Sequence, residues 1–183
     1  MRITSGEFRF RKVEVPEGIR PTTEKVREAI FSMIRDWNQD TVFVDLFAGS
    51  GSLGLEAISR GAAKCYFNEG NRKNYKILMQ NVEGCKAMDR AVVTNSDFRK
   101  FIMTLSEPID VVIMDPPYEA GYYDDAFELL LNQGILDEGS IVVAEHLYDN
   151  TLPESYGNLR RIKCKKYGTI GVNVYLYENE IEE

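Results

Sequence analysis

The sequence of 183 residues has few of the side chains that build disulfide frameworks, metal centres or histidine-based catalytic sites. Its three cysteines, Cys65, Cys85 and Cys164, are scattered and form no CxxC pair. This spacing argues against a disulfide framework or a zinc site and favours reduced thiols. His146 is the only histidine and has no evident partner, so neither a Ser-His-Asp triad nor a metal site is predicted; we expect it in a loop or on the surface.

Long apolar runs are absent as well. No run approaches the roughly 20 residues that cross a bilayer, and residues 1–6 lack the apolar core of a signal peptide. The composition is that of an ordinary globular protein. The sequence therefore predicts a single cytoplasmic domain over residues 1–183, with a sizeable core and neither a membrane nor a metal partner.

Bases are outnumbered in the chain as a whole, with 22 Lys and Arg against 29 Asp and Glu and a net charge of −7. Residues 1–12 reverse this balance, because they contain four bases and only one acid, Glu7. A local basic patch rather than the total charge is what meets phosphate, so an RNA partner is not excluded. Residues 1–20 predict an extended basic N-terminal arm; the alternative is a strand edge that charge keeps soluble.

Short apolar runs alternate with stretches of helical periodicity between residues 21 and 145. Runs of this kind predict buried strands, and they occupy residues 41–47, 63–69, 91–94, 109–114 and 140–145. Strands that alternate with helices predict a doubly wound, mostly parallel α/β sheet. The first helix is predicted after Arg20-Pro21-Thr22-Thr23, where a threonine can cap it, with apolar residues at helical spacing from Val26 to Trp37.

Two further runs, residues 159–167 and 169–178, flank Gly168 and alternate polar with apolar side chains. They predict a C-terminal antiparallel hairpin that completes a seven-stranded sheet.

A glycine loop, Gly49-Ser50-Gly51-Ser52-Leu53-Gly54, lies between the first strand and a helix. Its glycines allow a ligand to approach the backbone, and amides at a helix start attract acceptors or anions. The loop matches G-x-G-x-x-G, and Glu69 lies 20 residues after Gly49, where a dinucleotide site has its ribose-binding acid. The same pattern fits a nucleoside cofactor without phosphate, such as S-adenosylmethionine.

Acids follow four strands, and ligands of open parallel sheets bind at that edge. We expect Asp45 near a cationic sulfonium or ammonium group and Glu69 on two ribose hydroxyls. Asp97 would accept from an adenine amino group, with Phe98 against the ring. The alternative for Glu69 and Asp97 is strand-end and helix-cap chemistry.

The fourth acid opens Asp115-Pro116-Pro117-Tyr118, called the clamp below. Proline donates no hydrogen bond to a sheet, so the preceding strand ends here. The Asp115 carboxylate and the Pro116 carbonyl are two rigid acceptors for the N–H bonds of an exocyclic amino group. Tyr118 offers a stacking face for a base. The alternative is a rigid turn with a capping aspartate.

Together these motifs resemble the class I S-adenosylmethionine-dependent amino methyltransferases, and residues 20–28 and 45–57 resemble the RsmD family. Members of that family methylate the N2 amino group of one guanine in bacterial 16S rRNA. The resemblance implies a Rossmann-like fold and a clamp that holds the guanine. It implies that S-adenosylmethionine is bound by Asp45, Phe47, Gly49, Gly51, Glu69, Asp97 and Phe98.

The resemblance also implies a nucleic-acid partner, either 16S rRNA or a small-subunit assembly particle. The residues implied to contact RNA are Arg9, Arg11, Lys12, Arg20, Thr22, Thr23 and Arg27. The family usually has Arg-Gly-Arg-Lys-Leu in its arm, whereas this chain has Arg9-Phe10-Arg11-Lys12-Val13. Phe10 in place of glycine alters the flexibility of the arm or adds a stacking group.

Two alternatives stay open at this point. One keeps the cofactor but changes the substrate to adenine N6 of DNA or RNA, or to a glutamine side chain; no separate target-recognition domain is evident, which lowers the DNA alternative. The other is an NAD-dependent oxidoreductase, which explains neither the clamp nor the closing hairpin.

Overall fold

The computed structural model describes residues 1–34 and 37–180, which form a layered α/β fold. The helices of these ranges are α1 (Glu24–Met33), α2 (Ser52–Ser59), α3 (Arg72–Gly84), α4 (Phe98–Thr104) and α5 (Tyr123–Gln133). The strands are β1 (Val42–Asp45), β2 (Lys64–Asn68), β3 (Ala91–Thr94), β4 (Ile109–Met114), β5 (Leu136–Leu147), β6 (Ser155–Tyr156), β7 (Leu159–Tyr167) and β8 (Ile170–Tyr177).

All of these strands belong to one sheet, in the order β3-β2-β1-β4-β5-β8-β7-β6. Strands β1 to β5 pair in parallel, and β8 is antiparallel to both β5 and β7. The predicted mostly parallel sheet with a closing hairpin is therefore confirmed. The predicted count of seven strands is wrong, because Ser155–Tyr156 adds an eighth by pairing with the start of β7. Two residues are too few to show any periodicity.

Side chains on both faces of the sheet are buried, which explains why its parallel strands are continuous apolar runs. On β1, Phe43 packs into the core cluster that includes α1, α2 and α3, whereas Val44 packs into the cluster that includes α4 and α5. Strand β4 ends at Met114, immediately before the clamp. The prolines of the clamp thus end the strand as expected.

Helix α1 begins where the sequence predicts it. Thr23 is its N-cap and accepts a hydrogen bond from the Val26 amide at 3.3 Å. Val26 and Ile30 face the core. The helix ends at Met33; the predicted pattern runs on to Trp37 through residues 35 and 36, which lie outside the described ranges.

The N-terminal segment, defined as residues 1–13, is folded back on itself and is not the extended arm that the sequence predicts. A bridge pairs Arg2 with Lys12, and the side chains of Ile3, Phe8 and Val13 are buried in the core. Apolar burial in the segment outweighs charge repulsion among its bases. The segment is therefore an integral layer of the domain, packed on the same side of the sheet as α2 and α3.

One buried carboxylate fastens this segment to α2. Glu56 is fully buried and accepts hydrogen bonds from the Thr4 amide at 3.0 Å, the Thr4 hydroxyl at 2.5 Å and the Ser5 amide at 3.0 Å. Arg60 Nε donates to the same carboxylate at 3.1 Å. Several charge-assisted bonds satisfy a buried charge in this way.

His146 is buried within β5, which corrects the expected surface or loop position. Its ring lies against Gly171 of β8, where an added Cβ would be 2.5 Å from His146 Cε1. The missing side chain of Gly171 makes room for the imidazole.

The Glu56 contacts predict a large loss of stability in Glu56→Ala. Its donors would lose their acceptor in a buried site, so we expect the free energy of unfolding to fall by about 3 kcal/mol or more. Urea unfolding followed by circular dichroism measures this change. Glu128→Ala in α5 is the matched control at an exposed helical position and should stay within about 0.5 kcal/mol of the parent. Equal stability of the two variants would contradict the anchoring role.

Candidate active site

A cavity of about 550 Å³ opens where β1, β2, β3 and β4 end. The segment before α1, the glycine loop, the residues after β2 and β3, and the clamp all contribute to its wall. The lining residues are Gly18, Ile19, Arg20, Pro21, Thr22, Phe47, Ala48, Gly49, Ser50, Ser52, Leu53, Asn68, Glu69, Gly70, Asn71, Asn74, Ser96, Asp97, Phe98, Asp115, Pro116, Pro117, Tyr118 and Tyr122. The carboxyl ends of neighbouring parallel strands thus bring together most of the residues that the sequence singles out.

The glycine loop turns sharply between β1 and α2. Gly49 and Gly51 have φ angles of 55° and 81°, in the region that favours glycine. A Cβ on Gly51 would also lie 2.4 Å from Leu78 Cδ1 of α3. Gly49 lines the cavity, whereas Gly51 shapes the loop from behind it.

Asp45 lies beneath this loop and does not line the cavity. Its carboxylate is 2% exposed and accepts a hydrogen bond from the Gly54 amide at 3.0 Å. Burial raises the pKa of Asp45 to about 7. The expected direct position beside a cationic ligand is therefore corrected: Asp45 holds the start of α2, and near neutral pH its carboxyl is partly protonated.

Glu69 stands at the end of β2 with both carboxylate oxygens facing backbone donors. Oε2 accepts from the Gly49 amide at 2.8 Å, and Oε1 accepts from the Asn71 amide at 2.8 Å. The Gly49 amide is thus already bonded to a negative charge. This arrangement suits hydroxyl groups, which donate to a carboxylate, and it disfavours a pyrophosphate at the same loop.

Three aromatic rings form one wall of the cavity. Phe98 lies 5.0 Å from both Phe47 and Tyr122 between ring centroids, and Phe47 is stacked on Tyr122 at 6.1 Å. Asp97 caps α4 by accepting from the Arg99 amide at 2.9 Å, and its carboxylate is exposed at the cavity. The sequence allows two positions for Tyr122, the start of the helix after the clamp or a place in a base pocket; the structure places it immediately before α5 and in this wall.

The clamp carboxylate belongs to a cluster that the sequence does not reveal. Thr22 Oγ1 lies 3.2 Å from Asp115 Oδ2 and 3.1 Å from Glu145 Oε2, and the Tyr118 hydroxyl donates to Glu145 Oε1 at 2.9 Å. Glu145 is 3% exposed on β5. A threonine hydroxyl has one hydrogen and can donate to only one of the two carboxyls. Both contacts become hydrogen bonds when one of the carboxyls carries a proton.

Burial, followed by the negative charge of Glu145, raises the pKa of Asp115 well above its usual range. Burial likewise raises the pKa of Glu145, while the hydroxyls of Tyr118 and Thr22 act in the opposite direction. The folded protein therefore keeps protons on this cluster at a pH where an unfolded chain has lost them. Its contribution to stability is greatest at low pH and falls as the pH rises towards the raised pKa values.

Two residues expected at an RNA surface are buried instead. Thr22 is 7% exposed and faces Asp115 and Glu145. Arg27 is 1% exposed; it donates to the Arg2 carbonyl at 2.8 Å and contacts the sulfur of Met1. Helical periodicity gives a signal for the burial of Arg27, since it lies three positions before the apolar Ile30 and one after Val26. Glu145 had a signal too: it is a fifth acid near a strand's carboxyl end.

The other predicted RNA contacts are at least partly exposed. Arg20 lines the mouth of the cavity, and the exposed Thr23 caps α1 beside it. Arg11 donates to the Cys85 carbonyl at the end of α3, and Lys12 Nζ pairs with Glu14 at 2.6 Å. Arg9 is exposed, and its guanidinium carbon lies 4.5 Å from the centroid of the Phe10 ring.

Within the described ranges, no helix is long and apolar enough to cross a membrane. The same residues contain no cluster of three or more His, Cys, Asp or Glu side chains placed to hold a metal ion.

The chain is similar to a protein family, to curated proteins and to solved structures. Residues 1–176 match the family described as conserved hypothetical protein 95. Ribosomal RNA small subunit methyltransferase D of Escherichia coli strain K12 is 35% identical over 184 residues, which cover 100% of this chain and 92% of the relative. A solved structure of a conserved hypothetical protein from Streptococcus pyogenes is 36% identical, with a TM-score of 0.78 over 83% of this chain and 95% of that one.

A more distant structure, precorrin-6y C5,15-methyltransferase of Geobacter metallireducens, is 14% identical, with a TM-score of 0.71 over 92% of this chain and 95% of that one. At this identity the likeness shows the fold alone, which is the class I methyltransferase fold that the sequence predicts.

The cluster around Thr22 predicts opposite shifts in two variants. Thr22→Val removes a donor that favours the ionised Asp115, so the pKa of Asp115 should rise. Glu145→Gln removes the neighbouring negative charge, so the pKa of Asp115 should fall. Carbon-13 NMR titration of labelled carboxyl groups measures both, with Asp115→Asn to assign the signal. Shifts of the same sign in the two variants would contradict the arrangement.

Proposed function

Because this chain belongs to the same family as ribosomal RNA small subunit methyltransferase D of Escherichia coli, we propose that it is an S-adenosylmethionine-dependent methyltransferase of small-subunit rRNA. Its acceptor is the exocyclic N2 amino group of a guanine. The observation that carries the proposal is the position of the clamp, which lines the same cavity as the glycine loop, Glu69 and Asp97. An rRNA substrate also agrees with the cytoplasmic location that the reduced cysteines suggest.

The cavity has the chemistry that a nucleoside cofactor needs. Glu69 has acceptor capacity for ribose hydroxyls, Asp97 can accept from an adenine amino group, and Phe47 and Phe98 offer apolar ring faces. When bound, S-adenosylmethionine supplies an activated methyl group. Asp45 and Gly51 act indirectly, because they fix the loop whose Gly49 lines the site.

The clamp supplies what an exocyclic amino group lacks. Such a nitrogen is a poor nucleophile because its lone pair is delocalised into the ring. The Asp115 carboxylate and the Pro116 carbonyl would accept its two N–H bonds, which orients the nitrogen for in-line attack. Forming the N–C bond makes the remaining N–H acidic, and Asp115 is positioned to take that proton when it is ionised. Pro117 holds the turn, and Tyr118 gives the base a face to stack on.

The cluster makes this step pH-dependent. An ionised Asp115 offers both of its oxygens as hydrogen-bond acceptors, whereas a protonated Asp115 has an O–H donor on one of them. Since burial and Glu145 raise the pKa of Asp115, methyl transfer should increase with pH across that raised pKa. Thr22 and Tyr118 contact the Glu145 carboxyl and so couple its charge to the clamp.

Phosphate contacts would come from two places on the surface. Arg20 and Thr23 lie near the cavity mouth, and Arg9, Arg11 and Lys12 belong to the N-terminal segment. A single RNA contacting both would extend from the cavity along α3, since Arg11 reaches the last turn of that helix. An rRNA or a small-subunit assembly particle is large enough for this footprint.

The competing functions make different demands on the same site. An NAD-dependent oxidoreductase would set a pyrophosphate against the Gly49 amide, which Glu69 already occupies. Adenine N6 and glutamine side chains present similar amino groups to a clamp, so they are distinguished by the identity of the methylated product.

Substitution of the clamp carboxylate tests the chemical step. Asp115→Asn keeps the shape but exchanges one acceptor oxygen for an amide donor, so methyl transfer should fall at least 100-fold, about 3 kcal/mol of lost transition-state stabilisation. Affinity for S-adenosylhomocysteine should stay within several-fold. Tritiated-methyl transfer to 16S rRNA or partly assembled small subunits from a strain lacking the activity, followed by nucleoside identification, gives both rate and product.

Glu119→Gln, one residue beyond the clamp and exposed, is the matched control for that experiment and should retain its rate. An Asp115→Asn enzyme as fast as the control would refute the clamp role. If the methylated product is N6-methyladenine, the substrate is adenine and not guanine.

Calorimetry with S-adenosylhomocysteine and with NAD tests the cofactor site. We expect the nucleoside ligand to bind and NAD not to bind. Glu69→Ala should weaken binding about 10- to 100-fold, because two hydroxyl acceptors are lost in a partly buried site. Binding of NAD alone would overturn the proposal.

A further inference from the structure

Phe10 occupies a position that neither core packing nor local backbone geometry favours. It is 61% exposed, so burial does not explain an aromatic side chain there. Its φ angle is 72°, a left-handed conformation that costs energy for any residue with a Cβ. Among the described residues, Lys86 is the only other non-glycine with positive φ. Glycine adopts this angle without steric strain, so an exposed phenylalanine here points to a function of the ring itself.

The turn that carries Phe10 is held rigidly. Its amide donates to the Ile3 carbonyl at 2.9 Å, and Arg2 Nη1 donates to the Phe10 carbonyl at 2.9 Å. The next amide, that of Arg11, donates to the Phe8 carbonyl at 3.0 Å. Phe8 itself is buried in the core. The exposed ring is therefore presented on a fixed backbone and does not fold back onto the protein.

Basic residues flank this ring in the turn. The guanidinium carbon of Arg9 lies 4.5 Å from the Phe10 centroid, and Arg2 and Lys12 are exposed on the two paired strands of the turn. The two nearest acids in sequence are both in ion pairs: Glu7 with Arg90 at 2.8 Å and Glu14 with the exposed Lys12 at 2.6 Å. An aromatic face among bases is the combination that binds single-stranded nucleic acid: a base stacks on the ring and cations meet the flanking phosphates.

We propose that Phe10 and Arg9 form a binding site for an unpaired nucleobase of RNA, with Arg2 and Lys12 on the neighbouring phosphates. The site rests on the proposed function only in taking RNA as the substrate. It lies outside the cavity, because Phe10 is not among the residues that line it. It therefore engages a part of the RNA other than the methylated base.

The decisive variant is Phe10→Gly, which removes the ring and also relieves the backbone strain. It should raise Tm by a few degrees, so loss of folding cannot account for a loss of binding. Affinity for single-stranded oligouridylate and for 16S rRNA, measured by filter binding, should fall about 5- to 100-fold, the range for one base–aromatic stack. In methyl-transfer assays KM for rRNA should rise while kcat at saturating rRNA stays unchanged.

Three comparisons complete the test. Phe10→Leu keeps an apolar side chain and the strain but loses the ring, and it should bind RNA as weakly as the glycine variant. Phe10→Trp should bind at least as tightly as the parent. Met103→Ala removes the exposed apolar Met103 of α4, 59% exposed, and should leave RNA affinity unchanged.

RNA affinity of Phe10→Gly within twofold of the parent would overturn the proposal, as would parent-like binding by Phe10→Leu. An equal loss for fully double-stranded RNA would also overturn it, since paired bases cannot stack on the ring. The oligouridylate measurement needs no methyl transfer. A parent protein that binds it through Phe10 but methylates no rRNA would refute the proposed function and leave the binding site standing.

Discussion

Hydrogen bonds from glycine-loop amides to two strand-end carboxylates are the interaction on which the cavity depends. Asp45 holds the Gly54 amide from below the loop, and Glu69 holds the Gly49 amide from the next strand. The loop must leave β1 with left-handed glycines to present both amides. Parallel pairing of β1 with β2 brings these two acids to the same edge, and the cavity floor follows from that register.

Sequence patterns were sufficient for the parts of the fold that local chemistry determines. Proline ended β4 at the clamp, threonine capped α1, and buried parallel strands appeared as apolar runs. Patterns of one segment could not show which charges meet across segments. Thr22 and Glu145 are separated by 123 positions, yet their side chains share a contact 3.1 Å long. The role of Thr22 could therefore not be inferred without tertiary structure.

The N-terminal segment illustrates the opposite error, since its charge suggested a solvated arm and its few apolar residues decided the outcome. Ile3, Phe8 and Val13 are spaced by no helix or strand period, so the sequence did not predict that all three side chains are buried together. What they produce is a rigid turn that displays Phe10. The sequence shows that Phe10 replaces the usual glycine, but only the structure shows that its φ angle, 72°, is one that favours glycine.

The contacts of that segment also impose an order on biosynthesis. Residues 1–13 are translated before the partners that they contact, since Glu56, Cys85 and Arg90 follow 52, 74 and 83 positions after the residues that they bind. Until the ribosome has added these partners, three core side chains and a cluster of bases stay undocked on the nascent chain. Docking of this segment is thus a late event, because it must wait for residues that lie more than 50 positions further along the chain.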